Sequence, residues 1–171
     1  MAKNAGKKFE EDFKNSIPSN IYYLRIKDQA SGFGEQSNLR FSAKNPFDAL
    51  MYCYPNLFLL ELKSTKGTSF SFNGSNPMIK QHQIDELTAA NKHKGIIPGF
   101  IFNMRKYKKT YFLHINDFNK LVQDLDKKSI NQKDIVSAGA IEVFGEIKRV
   151  RYRYYIGEFI TTVSSMKGDV L

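Results

Sequence analysis

The feature that most constrains the fold is an apolar run that carries two charges. After the turn-like Pro55-Asn56 the chain reads Leu57-Phe58-Leu59-Leu60-Glu61-Leu62-Lys63-Ser64. Successive side chains of a β-strand point to opposite faces of the sheet, so Glu61 and Lys63 share one face while Leu60 and Leu62 occupy the other. Charges are costly to bury unless they are paired or bind something. The run therefore predicts a buried strand with one chemically active or ion-paired face.

A second carboxylate precedes this strand. Asp48 closes the segment Asn45-Pro46-Phe47-Asp48, and if it lies at the end of a neighbouring strand, two carboxylates and one ammonium group converge. Oxygen ligands suit Mg²⁺ or Mn²⁺, and a metal held beside a cation can direct water at a phosphodiester. In this interpretation Asp48, Glu61 and the Leu62 carbonyl are metal ligands. Lys63 orients or deprotonates the water, or offsets charge in the transition state.

The same spacing has a purely structural interpretation. Asp48 can be a turn residue after Pro46, and Glu61 and Lys63 can form an exposed ion pair on an edge strand. Short patterns of acidic and basic residues recur by chance, so the spacing alone leaves both interpretations open.

Length and composition limit the class of protein. A chain of 171 residues with 42% hydrophobic content predicts one folded domain over residues 1–171 rather than disorder. The formal net charge of +9 favours a polyanionic partner, although a basic protein without that role would have the same charge. No apolar run approaches the ~20 residues of a membrane span. The N-terminal residues lack the apolar core of a signal peptide, so we expect a cytoplasmic protein with no membrane partner.

Several other chemistries are not supported by the sequence. Cys53 is the single cysteine, which excludes an internal disulfide and a thiolate zinc cluster, and we expect it to be a buried apolar residue. His82, His93 and His114 have no paired ligand spacing. No glycine-rich loop is followed by Lys-Ser or Lys-Thr, so we expect no nucleotide cofactor.

The order of predicted elements indicates an α/β or α+β layer with a mixed sheet. Helices are predicted at about 5–16, 77–92 and 116–125. Strands are predicted at about 21–26, 57–64, 69–72, 96–104, 110–115, 141–144 and 148–156.

Four segments resemble, in order, RecU-type Holliday-junction resolvases of the PD-(D/E)xK nuclease superfamily. They are the helix Gly6-Lys7-Lys8-Phe9-Glu10-Glu11-Asp12-Phe13, the signature Pro46-Phe47-Asp48 with Glu61-Leu62-Lys63-Ser64-Thr65, the stretch Ser69-Phe70-Ser71-Phe72, and the helix start Ile79-Lys80-Gln81-His82-Gln83-Ile84. The resemblance spans roughly residues 6–104. It implies a restriction-endonuclease-like fold, a mixed β-sheet flanked by helices, and favours the nuclease interpretation. The stalk-like insertion, about 27–44, is shorter than is typical of the family, which is consistent with a trimmed, phage-encoded member acting in the host cytoplasm.

The resemblance implies further site residues. Glu10 would add a carboxylate near the metal, with its neighbour Glu11 as the alternative, although an acid early in a helix can also be favoured by the helix dipole alone. Gln83 would bond a ligand or the water, or else be a solvated helix glutamine. The implied cofactor is Mg²⁺, for which Mn²⁺ would substitute.

Candidate DNA contacts lie in three groups of residues. Phe33 can stack on an unpaired base or fill a dimer contact. The candidate cations are Lys3, Lys7 and Lys8 on the first helix, Arg25, Lys27, Arg40 and Lys44 around the stalk, and Arg149, Arg151 and Arg153 on one predicted strand face. Each group is also typical of a solvated surface, and phosphate contacts of this kind position DNA without reading its sequence.

The function predicted from these features is a metal-dependent endonuclease that resolves four-way DNA junctions by paired phosphodiester hydrolysis. A symmetric junction suits a two-fold dimer with two active sites, so we expect a homodimer. The alternatives are a nuclease of the same fold that cuts duplex or other branched DNA, a non-catalytic junction-binding protein, and a basic structural or RNA-binding domain. Intact Asp48, Glu61 and Lys63 argue against the non-catalytic alternative.

Overall fold

The computed structural model describes residues 3–26 and 45–168, and the side chain of Lys3 is not among the described parts. The predicted stalk-like segment, with Lys27, Phe33, Arg40 and Lys44, therefore lies outside the described residues. The helices are α1 (Lys3–Asn15), α2 (Gln81–Ala90), α3 (Ile115–Gln123), α4 (Gln132–Ser137) and α5 (Ile156–Gly168). The strands are β1 (Tyr22–Arg25), β2 (Ala49–Cys53), β3 (Asn56–Thr65), β4 (Ser69–Ser71), β5 (Ile96–Met104), β6 (Lys109–His114), β7 (Ser129–Asn131), β8 (Ile141–Glu142), β9 (Gly145–Lys148) and β10 (Arg151–Tyr154).

A mixed sheet in the order β1-β2-β3-β5-β6-β8 forms the centre of the fold. The pair β3–β5 is parallel and the other pairs are antiparallel. A parallel pair needs a crossover connection, and here that connection contains α2. Two smaller antiparallel pairs, β4 with β7 and β9 with β10, lie outside this sheet.

Helices cover both faces of the central sheet. Leu60 and Leu62 point to the face where α1 and α5 pack, in a core that contains Phe13 and Phe159. Leu59 points to the other face, where α2, α3 and α4 contribute the second core. The alternation along β3 decides which side each residue faces. The predicted mixed sheet flanked by helices is confirmed. Across the described residues, no helix has the length and apolar content needed to cross a bilayer.

Three local predictions were wrong. The helix predicted from residue 77 begins at Gln81, because Ile79 is still bonded through its N–H to the Ser71 carbonyl. The strand predicted at 148–156 is split, because Arg149 adopts a left-handed φ of 56° in the turn between β9 and β10. Arg149 therefore does not share a strand face with Arg151 and Arg153. The helices α4 and α5 were not predicted.

Candidate active site

Strand pairing places Asp48 opposite Glu61. Asp48 directly precedes β2, and its N–H donates to the Leu60 carbonyl at 3.1 Å. The β2–β3 register pairs Ala49 with Leu60, so one residue further along, Asp48 and Glu61 lie on the same face. The Leu62 N–H donates to Asp48 Oδ2 at 2.8 Å. Because the N–H and C=O of a strand residue point to the same side, the Leu62 carbonyl is also directed towards Asp48.

Glu61 is a buried carboxylate with two partners on one oxygen. Its Oε1 lies 2.8 Å from Lys63 Nζ and accepts a hydrogen bond from Gln83 Nε2 at 2.5 Å. Glu61 is 1% exposed, and its Oε2 has no hydrogen-bond partner within the described residues. Since β3 lies between β2 and β5, the alternative of an exposed pair on an edge strand is wrong.

Burial controls the charge of this site. Loss of solvent, the largest cause, and the nearby Asp48 carboxylate together raise the pKa of Glu61 to about 7, although Lys63 acts in the opposite direction. Near neutral pH the Glu61 carboxyl is therefore partly protonated. Asp48 and Glu61, together with the Leu62 carbonyl, are the groups that could hold a divalent cation.

Gln83 connects α2 to β3. Its Oε1 accepts a hydrogen bond from the Lys80 N–H at 3.0 Å, which caps the start of α2, while its Nε2 donates to Glu61. The crossover between β3 and β5 lays α2 over the Glu61 face. Gln83 is thus in contact with the site, and the alternative of a solvated glutamine is wrong.

Glu10 reaches the neighbourhood of the site from α1 but pairs with Arg25. Arg25 Nη2 lies 2.8 Å from Glu10 Oε2. Glu11 points away and pairs with Arg151 at 2.9 Å. Of the two glutamates, Glu10 is therefore the one directed towards the β1–β2 side. Over residues 3–26 and 45–168, however, no three His, Cys, Asp or Glu side chains form a group that could hold a metal, so Glu10 does not join Asp48 and Glu61 in this arrangement.

Tyr23 is a site neighbour that the sequence interpretation missed. Burial raises the pKa of its hydroxyl to about 12, with Arg25 lowering it and both Asp48 and Glu10 raising it. Arg25, Asp48 and Glu10 therefore all lie within electrostatic reach of Tyr23. Tyr23 Oη and Arg25 Nη1 are buried without hydrogen-bond partners in the described part of the chain. The period of two in β1, which places Tyr23 and Arg25 on one face, was the available signal.

Comparison with known proteins assigns the chain to a family. The sequence model of the family described as Recombination protein U matches residues 14–157. The chain belongs to the RecU family. It is 35% identical over 170 residues to the SPbeta prophage-derived uncharacterized protein YotM of Bacillus subtilis (strain 168), a match that covers 92% of this chain and 85% of the relative. The RecU resemblance predicted from the sequence is confirmed.

A solved structure of the Holliday junction resolvase Hjc from Archaeoglobus fulgidus is also similar to this RecU-family chain. The TM-score is 0.46 at 12% identity, over 83% of this chain and 95% of the solved one. The family match begins at residue 14, so Asp48, Glu61, Lys63 and Gln83 lie within it. Glu10 and the lysines at 7 and 8 precede the matched residues, and their roles stay predictions.

Proposed function

We propose that this RecU-family protein is a metal-dependent endonuclease that resolves four-way DNA junctions. The observation that carries the proposal is the pairing of Asp48 with Glu61 on one sheet face, beside Lys63. A buried, unpartnered Glu61 Oε2 is costly to maintain. A divalent cation between the two carboxylates would compensate that cost, so the donor set fits Mg²⁺, with Mn²⁺ as a substitute. Asp48, Glu61 and the Leu62 carbonyl would hold it.

Residues of the chain would orient the water, neutralise charge and position the carboxylates. When bound, the cation would supply Lewis-acid activation of water and neutralise phosphate charge. Lys63 is held 2.8 Å from Glu61 and orients the attacking water or offsets charge developing on the phosphate. Gln83 fixes the orientation of the Glu61 carboxylate through its 2.5 Å hydrogen bond. Glu10 joins the ligands only if its pair with Arg25 opens when DNA binds.

The proposed substrate follows from family membership, and the proposed homodimer follows from the two-fold symmetry of a four-way junction. Family membership supports recombination DNA as the target, and a four-way junction with two-fold symmetry suits a homodimer that presents two such sites. Hydrolysis at both would leave 5′-phosphate and 3′-hydroxyl ends. The prophage-derived relative supports a phage-encoded protein that acts in the host cytoplasm. A nuclease of this fold that cuts duplex or other branched DNA is the alternative.

The test is cleavage of a labelled four-way junction and a linear duplex of matching sequence in Mg²⁺. We expect paired nicks across the junction with the wild type, and none after chelation or with Asp48→Asn. Asp126→Asn makes the same change at an exposed position and should cut like the wild type. Equal cutting of both substrates would support the duplex alternative. Junction binding without cleavage in Mg²⁺ or Mn²⁺ would refute the catalytic proposal.

A further inference from the structure

A depression lined by cations lies behind the candidate active site, between α1 and two hairpins. One part has a volume of about 400 Å³ and includes Lys8, Arg105 and Lys108 in its lining. An adjoining part of about 460 Å³ shares Lys8 and adds Lys7 and Arg151. We call the depression formed by Lys7, Lys8, Arg105 and Lys108 the basic cleft. None of the functions assigned above to Asp48, Glu61, Lys63 or Gln83 uses it.

The positive charge of the basic cleft is not compensated by the described part of the protein. No carboxylate within residues 3–26 or 45–168 forms an ion pair with its four cations. The two acids in its walls, Glu11 and Asp12, both lie against Arg151, at 2.9 and 3.3 Å. Four exposed cations around one depression create a positive potential that attracts anions.

Two basic residues in the hairpins that border the basic cleft occupy strained backbone positions. Lys108 has a φ of 52° in the β5–β6 turn, and Arg149 has a φ of 56° in the β9–β10 turn beside the cleft. Left-handed turn positions favour glycine or asparagine, because a larger side chain strains the backbone there. Both hairpins bordering the cleft thus carry a basic residue where a smaller residue would be less strained.

The cleft and the candidate active site lie at the same end of the sheet. The Arg105 N–H donates to the Thr65 carbonyl at 3.0 Å, and Thr65 follows Lys63 by two residues, about 7 Å along β3. The lining residues Phe9 and Tyr154 belong to the core on the α1 face, whereas Glu61 points to the α2 face. A strand cut on one face can therefore continue over the end of β3 towards the other.

We propose that the basic cleft binds the phosphodiester backbone of the DNA arm that leaves the active site. This inference rests on the proposed function for the identity of the DNA, but the site is separate from the catalytic residues. Lys7, Lys8, Arg105 and Lys108 contact phosphates a few nucleotides from the cleaved bond. The contacts are with the backbone, so they add affinity without sequence preference.

The test is equilibrium binding of a four-way junction as a function of salt, with EDTA present to prevent cleavage. The variant Lys8→Gln/Arg105→Gln should lower the slope of log affinity against log salt by roughly two and weaken binding roughly tenfold at moderate salt. The control Lys14→Gln/Lys133→Gln removes the same charge from exposed positions on α1 and α4, outside the cleft. It should leave the slope within about 0.5 of the wild-type value. Equal slopes for the two double variants would overturn the proposal.

A second variant separates binding from folding. Lys108→Gly relieves the left-handed strain, so its Tm should equal or exceed that of the wild type, by up to ~4 °C, while the salt slope falls by about one. Wild-type DNA binding by Lys108→Gly would also overturn the proposal. The outcome of the binding experiment is independent of catalysis. If the wild type fails to cleave junctions, the proposed function is refuted. The salt slopes still decide whether the basic cleft binds DNA.

Discussion

Replacing Glu61 with glutamine should abolish a specific part of the pH dependence of stability. The pKa of the Glu61 carboxyl rises from 4.5 to about 7 on folding, mainly because the group is buried. Each pKa unit corresponds to ~1.4 kcal/mol, so ionising Glu61 in the metal-free folded protein costs about 3 kcal/mol. The glutamine side chain of the variant keeps an oxygen for Lys63 and has no proton to lose.

The direction of the effect follows from proton linkage. Between pH 4.5 and about 7 the folded state keeps a proton that the unfolded state has released, so the free energy of unfolding falls as pH rises through this range. Below pH ~4.5 both states are protonated and the penalty is absent, whereas above pH ~7 it is fully present. The stability of Glu61→Gln relative to wild type should therefore increase by about 3 kcal/mol from pH ~4.5 to pH ~8.

Urea unfolding in EDTA at a series of pH values measures this difference directly. Subtracting wild type from variant removes the contribution of titrating groups that do not interact with Glu61. The control is Glu86→Gln, the same change at an exposed position of α2, for which the difference should not vary with pH. A difference for Glu61→Gln that stays constant across the same pH range would refute the argument that burial governs the charge of Glu61. Saturating Mg²⁺ should recover part of the wild-type stability at high pH, because a bound cation stabilises the ionised carboxylates.

Two further predictions concern the roles of individual side chains. Lys63→Met should lower the rate of junction cleavage by roughly 10²-fold or more while changing junction affinity by only a few fold, because Lys63 acts mainly on charge in the transition state; equal losses in single-turnover rate and affinity would instead make Lys63 a binding residue. Glu10→Gln should reduce cleavage more than the matched change Glu11→Gln, since only Glu10 faces the β1–β2 side, and the reverse order in the same assay would assign the role to Glu11.

The convergence of Asp48, Glu61 and Lys63 could be predicted from the sequence because it depends on short-range geometry. Asp48 directly precedes β2, which pairs with β3 across the tight turn at Pro55, so the hairpin register and strand alternation bring Asp48 and Glu61 to one face. Lys63 follows from the same period of two. These relations need no knowledge of how distant elements pack.

The contacts from the helices could not be predicted in this way. Gln83 reaches Glu61 only because the crossover between two parallel strands lays α2 over that face. The pairing of Glu10 with Arg25 depends on how α1 sits against β1, which sequence spacing does not specify. Helix α5 was missed for a different reason: the adjacent Thr161, Thr162 and Val163 are β-branched and favour strands locally, whereas packing of Phe159 against Phe58 and Phe112 requires the helix.

Helix α1 links the candidate active site to the basic cleft. Glu10 and Lys8 are two residues apart, about 200° around the helix axis, so one points towards Arg25 while the other lines the cleft. The helix is anchored to β10, because Ser16 Oγ accepts a hydrogen bond from the Tyr154 N–H at 2.9 Å and Asp12 lies beside Arg151. A DNA backbone bound in the basic cleft would therefore contact the same helix that carries Glu10 of the Glu10–Arg25 pair.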